Sequence, residues 1–235
     1  MDRFAEKYYT KTPYQYAANN PIKFIDVMGD SIRVSGSASS LSGFKKIVSN
    51  GLGNHYNVDI NDEGSVTITA KSDDSESNLT KGQAAFLGTL NEAINNSEDT
   101  SFNLIDHNDD SSENVPIGDN GQTSISATPG THTLDIGDIS KFDNNGKLTA
   151  SGILAHEIKE GFDIQVQGKT PMSAHRAGIR AESKVNRTLT VGNPTLNSNR
   201  SEIKVNVKVP NKGSSTVIIK LKNQNVTKVK NNKRK

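Results

Sequence analysis

Two short segments hold residue types that could activate water on a bound metal ion. The first is His156-Glu157-Ile158-Lys159-Glu160. On a helix, His156 and Glu160 are four residues apart and share one ridge. Leu154, Ile158 and Phe162 fall on a separate, nearly opposite stripe. One face can then pack while the other offers an imidazole and a carboxylate to a cleft. The second segment spans residues 170–182. Pro171 suits a first helical turn, with Thr170 as its cap. It carries His175 and Glu182, which share a face. At about 1.5 Å of rise per residue these two lie roughly 10 Å apart along the axis, too far to ligate one ion easily.

A catalytic zinc ion needs three protein ligands and an open position for water. The spacing nominates His156, Glu160 and His175 as those ligands. Glu182 is then a carboxylate that supports a ligand, or the alternative ligand if His175 is not one. Zinc so held lowers the pKa of its water and polarises a carbonyl. Glu157, beside the ridge, is the candidate general base that passes the water's proton to a leaving amine. A plainer reading stays open: Glu157 with Lys159, and Glu160 with Arg176 or Arg180, as ordinary ion pairs, and His175 as a solvated histidine.

The first segment resembles the His-Glu-x-x-His helix of zinc peptidases, with Glu160 in place of the second histidine. The resemblance implies an α+β, zincin-like fold. Its parts would be a small mixed or antiparallel sheet, an active-site helix and a second ligand-bearing helix. It also implies an edge strand beside the active helix that binds substrate backbone, for which residues 133–139 are the candidate.

The elements that must position these groups are legible by period. Residues 39–50 read as a short helix with Leu41, Phe44, Ile47 and Val48 on one side, ended by Gly51 and Gly53. Residues 56–60 and 65–69 alternate around Asp62-Glu63-Gly64, a hairpin pattern. Residues 80–94 form an amphipathic helix with Ala85, Phe86, Leu90 and Ala93 as its stripe. Residues 102–105 and 132–136 look like strands flanking a long polar loop. Asp109, Asp110 and Asp119 in that loop match no calcium-site spacing and read as solvated. Residues 202–209 and 215–221 make a C-terminal β-hairpin around Pro210-Asn211-Lys212-Gly213.

Residues 4–32 are of a different character. They hold Tyr8, Tyr9, Tyr14, Tyr16 and Phe24, punctuated by Pro13 and Asn19-Asn20-Pro21. Ala5-Glu6-Lys7-Tyr8-Tyr9, Pro13-Tyr14, Asn19-Asn20-Pro21 and Phe24-Ile25-Asp26 closely resemble the end of the Rhs repeat-associated core. That family builds a shell of tyrosine-aspartate repeats followed by a variable toxin. The resemblance implies a bacterial toxin secreted as the C-terminal part of a large exported protein, acting in a target cell. Its implied partners are the N-terminal Rhs shell of the same polypeptide and a cognate immunity protein, while a protein substrate in the target cell follows from the zinc-peptidase reading. Asp26-Val27-Met28-Gly29 departs from the family's Asp-Pro-x-Gly, so self-cleavage here is not carried over. Residues 153–182 are similar to the metallopeptidase-like toxin modules found behind such cores.

Composition bounds the alternatives. The 235 residues include no Cys, which excludes disulfides, thiolate nucleophiles and Cys-bearing zinc sites. No apolar run approaches the roughly 20 residues of a membrane helix. Between Tyr56 and Glu113 only Lys71 and Lys81 oppose many acids, while every charged residue from Lys204 to Lys235 is basic. The basic tail reads as a solvated, frayed end, since it lacks interleaved aromatics. A nuclease reading rests on His107, Asn108, Asp109, Asp110 and that tail. The acidic middle repels phosphate, so nucleic acid is not an expected partner. A non-enzymatic binding module is the third class. The expected organisation is an Rhs-core tail over 1–32, a zinc metallopeptidase-like domain over 33–190 and a β-rich extension over 191–235.

Overall fold

Four polar side chains set where helices begin. Ser37 accepts a hydrogen bond from the Ser40 amide, and Thr80 and Gln83 form a reciprocal capping box. Thr149 accepts from the Gly152 amide and Asp135 from the Asp138 amide. Each satisfies an amide that the helix itself leaves unpaired.

The computed structural model describes residues 32–107, 127–128, 132–142, 147–223 and 225–233. In chain order the elements are β1 (Ile32–Gly36), α1 (Ala38–Gly51), β2 (Tyr56–Ile60), β3 (Val66–Ala70), α2 (Lys81–Ile94), β4 (Thr100–Ile105), β5 (Ala127–Thr128) and β6 (Thr133–Asp135). There follow α3 (Ile136–Ser140), α4 (Ala150–Gln165), α5 (Pro171–Asn186), β7 (Leu189–Thr190), β8 (Thr195–Leu196), β9 (Glu202–Val209), β10 (Gly213–Lys222) and β11 (Asn225–Lys233). The fold is α+β with small sheets, as the sequence pattern indicates.

A mixed sheet runs in the order β1-β4-β6-β5. β1, β4 and β6 are parallel, and β5 is antiparallel at the edge. Phe102 and Leu104 point inward from β4 while Ser101 and Asn103 are exposed. The strand expected over 133–139 is shorter and differently placed. Only Thr133–Asp135 is extended, it lies between β4 and β5, and 136–140 turns into α3. The physical reason is the Asp135 side chain, which caps the helix that follows.

The β2–β3 hairpin has Val58 opposite Ile68. The expected C-terminal hairpin is present as β9 and β10, with Val205 opposite Val217. The frayed end expected for the basic tail is corrected over 225–233. There β11 pairs antiparallel with β10, burying Val226 while Lys228 and Lys230 face solvent. Residues 1–31, which carry the aromatic-rich segment, and Asn108, Asp109, Asp110 and Asp119 lie outside the described residues.

Buried side chains from β1 through β11 form one connected cluster, and the C-terminal strands contribute Ile203, Val205, Val207, Val217, Ile219 and Leu221 to it. Within it α4 lies over β4. Leu154, Ile158 and Phe162 are buried along the predicted stripe, each stabilising the packed helix by about 1.5–3 kcal/mol. Gln165 doubles the anchorage. Its amide oxygen accepts from the Ser101 backbone amide and its NH₂ donates to the Ser101 carbonyl. No described helix is long and apolar enough to cross a membrane.

Candidate metal centre

The centre is built where α4 and α5 pack side by side. Their ends are tied by Asn186, whose side-chain oxygen accepts from the Thr149 amide at 2.9 Å and its hydroxyl at 2.7 Å. Pro171 occupies the first turn of α5 as expected, but the Thr170 side chain makes no capping bond. At the crossing, α5 presents Gly178. A Cβ there would lie 2.5 Å from His156 Cδ2 and 2.9 Å from its carbonyl oxygen. Only glycine permits this approach.

The approach gathers the nominated side chains. His156 Nε2 is 3.2 Å from Glu160 Oε2 and 3.1 Å from His175 Nδ1, and the latter two atoms are 2.9 Å apart. Three donors therefore form a near-equilateral triangle. Ligands at about 2.0–2.1 Å from a tetrahedral zinc stand roughly 3.3 Å from one another. The donor set fits such an ion with slight outward relaxation. His175 is 56% exposed, so the centre meets solvent at that edge.

Glu182 occupies a different place. Its Oε2 lies 3.1 Å from Nδ1 of His156, on the far side of the ring from Glu160 and His175. The helical spacing that made His175 and Glu182 poor joint ligands is thus resolved: they address opposite nitrogens of one imidazole. The His156 Nδ1–H donates to Glu182, which fixes the ring and leaves Nε2 directed at the cluster. Asn186 Nδ2 donates in turn to Glu182 Oε1 at 3.4 Å. Sequence reading did not find Asn186. Its four-residue spacing from Glu182 was the available signal.

Without a metal, imidazole–carboxylate hydrogen bonds hold the cluster together. Burial opposes charge on His156, but hydrogen bonds to Glu160 and Glu182, with Glu157 nearby, outweigh it and raise the imidazole to about 10. Burial likewise opposes charge on Glu160, yet hydrogen bonds from His156 and His175 bring its carboxyl down to about 2. Imidazole and carboxylate so paired are strongly coupled. Glu157 is half-buried on α4, and its charge is felt at His156.

Lys159 and Glu160 each form ion pairs of their own. Lys159 bonds Glu92 and the fully buried Asp163, and Lys169 reaches the other Asp163 oxygen at 2.9 Å. Glu160 faces the two histidines.

A second cluster of potential ligands joins Asp106, His107 and Asp135. Of these, sequence reading singled out only His107, grouping it with residues 108–110. Beside it, burial and then the Asp135 charge push the Asp138 carboxyl up to about 8. No family model, curated protein or solved structure matches the chain.

Proposed function

We propose that the chain is a zinc-dependent peptidase, acting as the toxin module of an exported Rhs protein. The observation that carries the chemistry is the convergence of His156, Glu160 and His175 from two helices, with Glu182 behind His156.

His156 Nε2, Glu160 Oε2 and His175 Nδ1 would hold the ion. Zinc bound there supplies Lewis acidity and a water of lowered pKa. Glu157, next in the chain to a ligand, would be the general base for such a water and the acid toward a leaving amine. Glu182 keeps His156 in the tautomer that ligates through Nε2, and stabilises positive charge on the ring. The buried apolar face of α4 keeps these groups from drifting, because Leu154, Ile158 and Phe162 fix the helix rotation.

The biological setting rests on residues 4–32, whose motif is that of an Rhs-core end. It makes the site of action a target cell and the partners an Rhs shell and an immunity protein, and the peptidase chemistry makes the substrate a protein there. It also makes the chain the terminal part of a secreted polypeptide.

Metal analysis of purified protein, beside Glu157→Gln expressed in a sensitive host, tests the reading. One equivalent of zinc at this centre is expected in both proteins, with toxicity lost in the variant. A fully toxic Glu157→Gln ends the peptidase mechanism, and a chain that loses no zinc on His156→Ala ends the ligand assignment.

A further inference from the structure

β4 and β6 are parallel neighbours, so their C-terminal ends finish side by side, with Ile105 opposite Asp135. The chain leaves β4 through Asp106 and His107, and leaves β6 through Asp135, which caps α3. Parallel register therefore delivers four ligand-type side chains to one place: Asp106, His107, Asp135 and, one turn into α3, Asp138. The ends of parallel strands are where open sheets collect their sites.

The geometry is close. His107 Nδ1 lies 3.2 Å from Asp135 Oδ1 and 3.1 Å from Asp138 Oδ1. Ligand atoms of Asp106, His107 and Asp135 all lie within 4.8 Å of one another. The floor of the place is buried, with Asp135 0% and Asp138 3% exposed, and Asp106 and His107 at its half-buried edge. Asp135 Oδ1 accepts from the Asp138 amide, but its Oδ2 is buried with no hydrogen-bond partner among the described residues. Asp138 Oδ1 accepts from the Val226 amide of β11 at 2.7 Å.

Asp106, Asp135 and Asp138 gather around one imidazole, so acidic groups outnumber the basic one among the described residues here. Lys141 is the cation felt at Asp138, at long range. Buried carboxylates are stable only when paired or ligated. Among the described residues no group pairs with that oxygen, and a bound cation would satisfy it.

We infer that Asp106, His107 and Asp135 form a second divalent-cation site, separate from the first in every residue, which clamps the ends of β4 and β6. Asp138 lines the site and links it to β11, so the ion ties the N-terminal mixed sheet to the C-terminal strands. One imidazole among carboxylates favours manganese or zinc over calcium, whose sites are all oxygen. The role is structural, and the inference is independent of the peptidase reading.

The experiment uses the full chain with His156→Ala and His175→Ala, which removes the first centre. The protein is stripped with chelator, reloaded with manganese or zinc chloride, desalted, and assayed for bound metal and for its melting temperature. One equivalent and a rise of several degrees are expected. Adding Asp135→Asn or Asp106→Asn is expected to weaken binding at least tenfold and abolish the rise. A reloaded protein that binds no ion, or one whose ion is unaffected by both asparagine changes, overturns the site. Should the double alanine variant not fold, wild type and Asp135→Asn are compared directly. They must differ by one equivalent, and equal metal contents overturn the inference.

Discussion

Gly178→Ala isolates the contact that brings the two halves of the metal centre together. The added methyl would sit 2.5 Å from His156 Cδ2 and 2.9 Å from Nε2, where ordinary contact begins at 3.4 Å. The ring must therefore retreat by about 0.9 Å. It has no free direction, because Glu182 holds one nitrogen while Glu160 and His175 crowd the other. The backbone cannot yield cheaply either, since the methyl also meets the His156 carbonyl oxygen at 2.9 Å. The helices must separate, which costs about 1–3 kcal/mol as overpacking. Metal geometry tolerates only about 0.2 Å, so zinc affinity should fall tenfold or more. Hydrolysis should fall further, since misplacement of about 1 Å can cost roughly 100-fold in rate. Competition against a chromophoric chelator measures the affinity, and a thermal melt measures the stability. Gly161→Ala is the control. Its methyl meets the Phe102 ring at 2.7 Å on the opposite, sheet-facing side of α4, so it should lower stability and spare the affinity better. If Gly178→Ala binds zinc within twofold of wild type, the close approach is not what sets the site.

The remaining expectations are narrower. Glu182→Gln keeps the shape but removes the charge behind His156, and zinc affinity should drop about 10–100-fold. Unchanged affinity in the same titration would make Glu182 incidental. Among the described residues, Lys159→Ala leaves the buried Asp163 carboxylate with the half-exposed Lys169 as its cation. Its unfolding free energy, read by denaturant titration, should fall toward the low end of about 3–5 kcal/mol, and no loss would show that Lys169 suffices. In chelated protein, Glu160 is held below its ordinary 4.5, at about 2, so its stabilisation is present above 4.5 and lost as pH falls toward 2. His156 is raised from 6.5 to about 10, so its stabilisation is present below 6.5 and lost as pH rises toward 10. Melting temperature without metal should therefore peak between those limits. Zinc should move the optimum upward, because its ligands must shed protons, and an optimum that ignores zinc would count against the ligand set.

Much of this molecule is written locally. The ridge shared by His156 and Glu160, the opposite stripe of Leu154, Ile158 and Phe162, the Pro171 start of α5 and the two hairpins all follow from periods of 3.6 and 2. Where a local pattern was thin, reading went astray. Residues 136–139 look strand-like until Asp135 caps a helix there. β11 offers few apolar residues, and its order comes from the backbone ladder that β10 provides.

The sequence by itself settled which side chains share a helix face and what chemistry their types permit. Only the tertiary structure decided that His175 reaches Nε2 of His156 while Glu182 takes Nδ1, because that depends on how closely α5 can approach α4 at Gly178. It likewise placed His107 against Asp135, through the parallel register of β4 and β6. A window of residues carries its own periodicity. The distance between two elements is set by packing and strand register, which arise from contacts far apart in the chain.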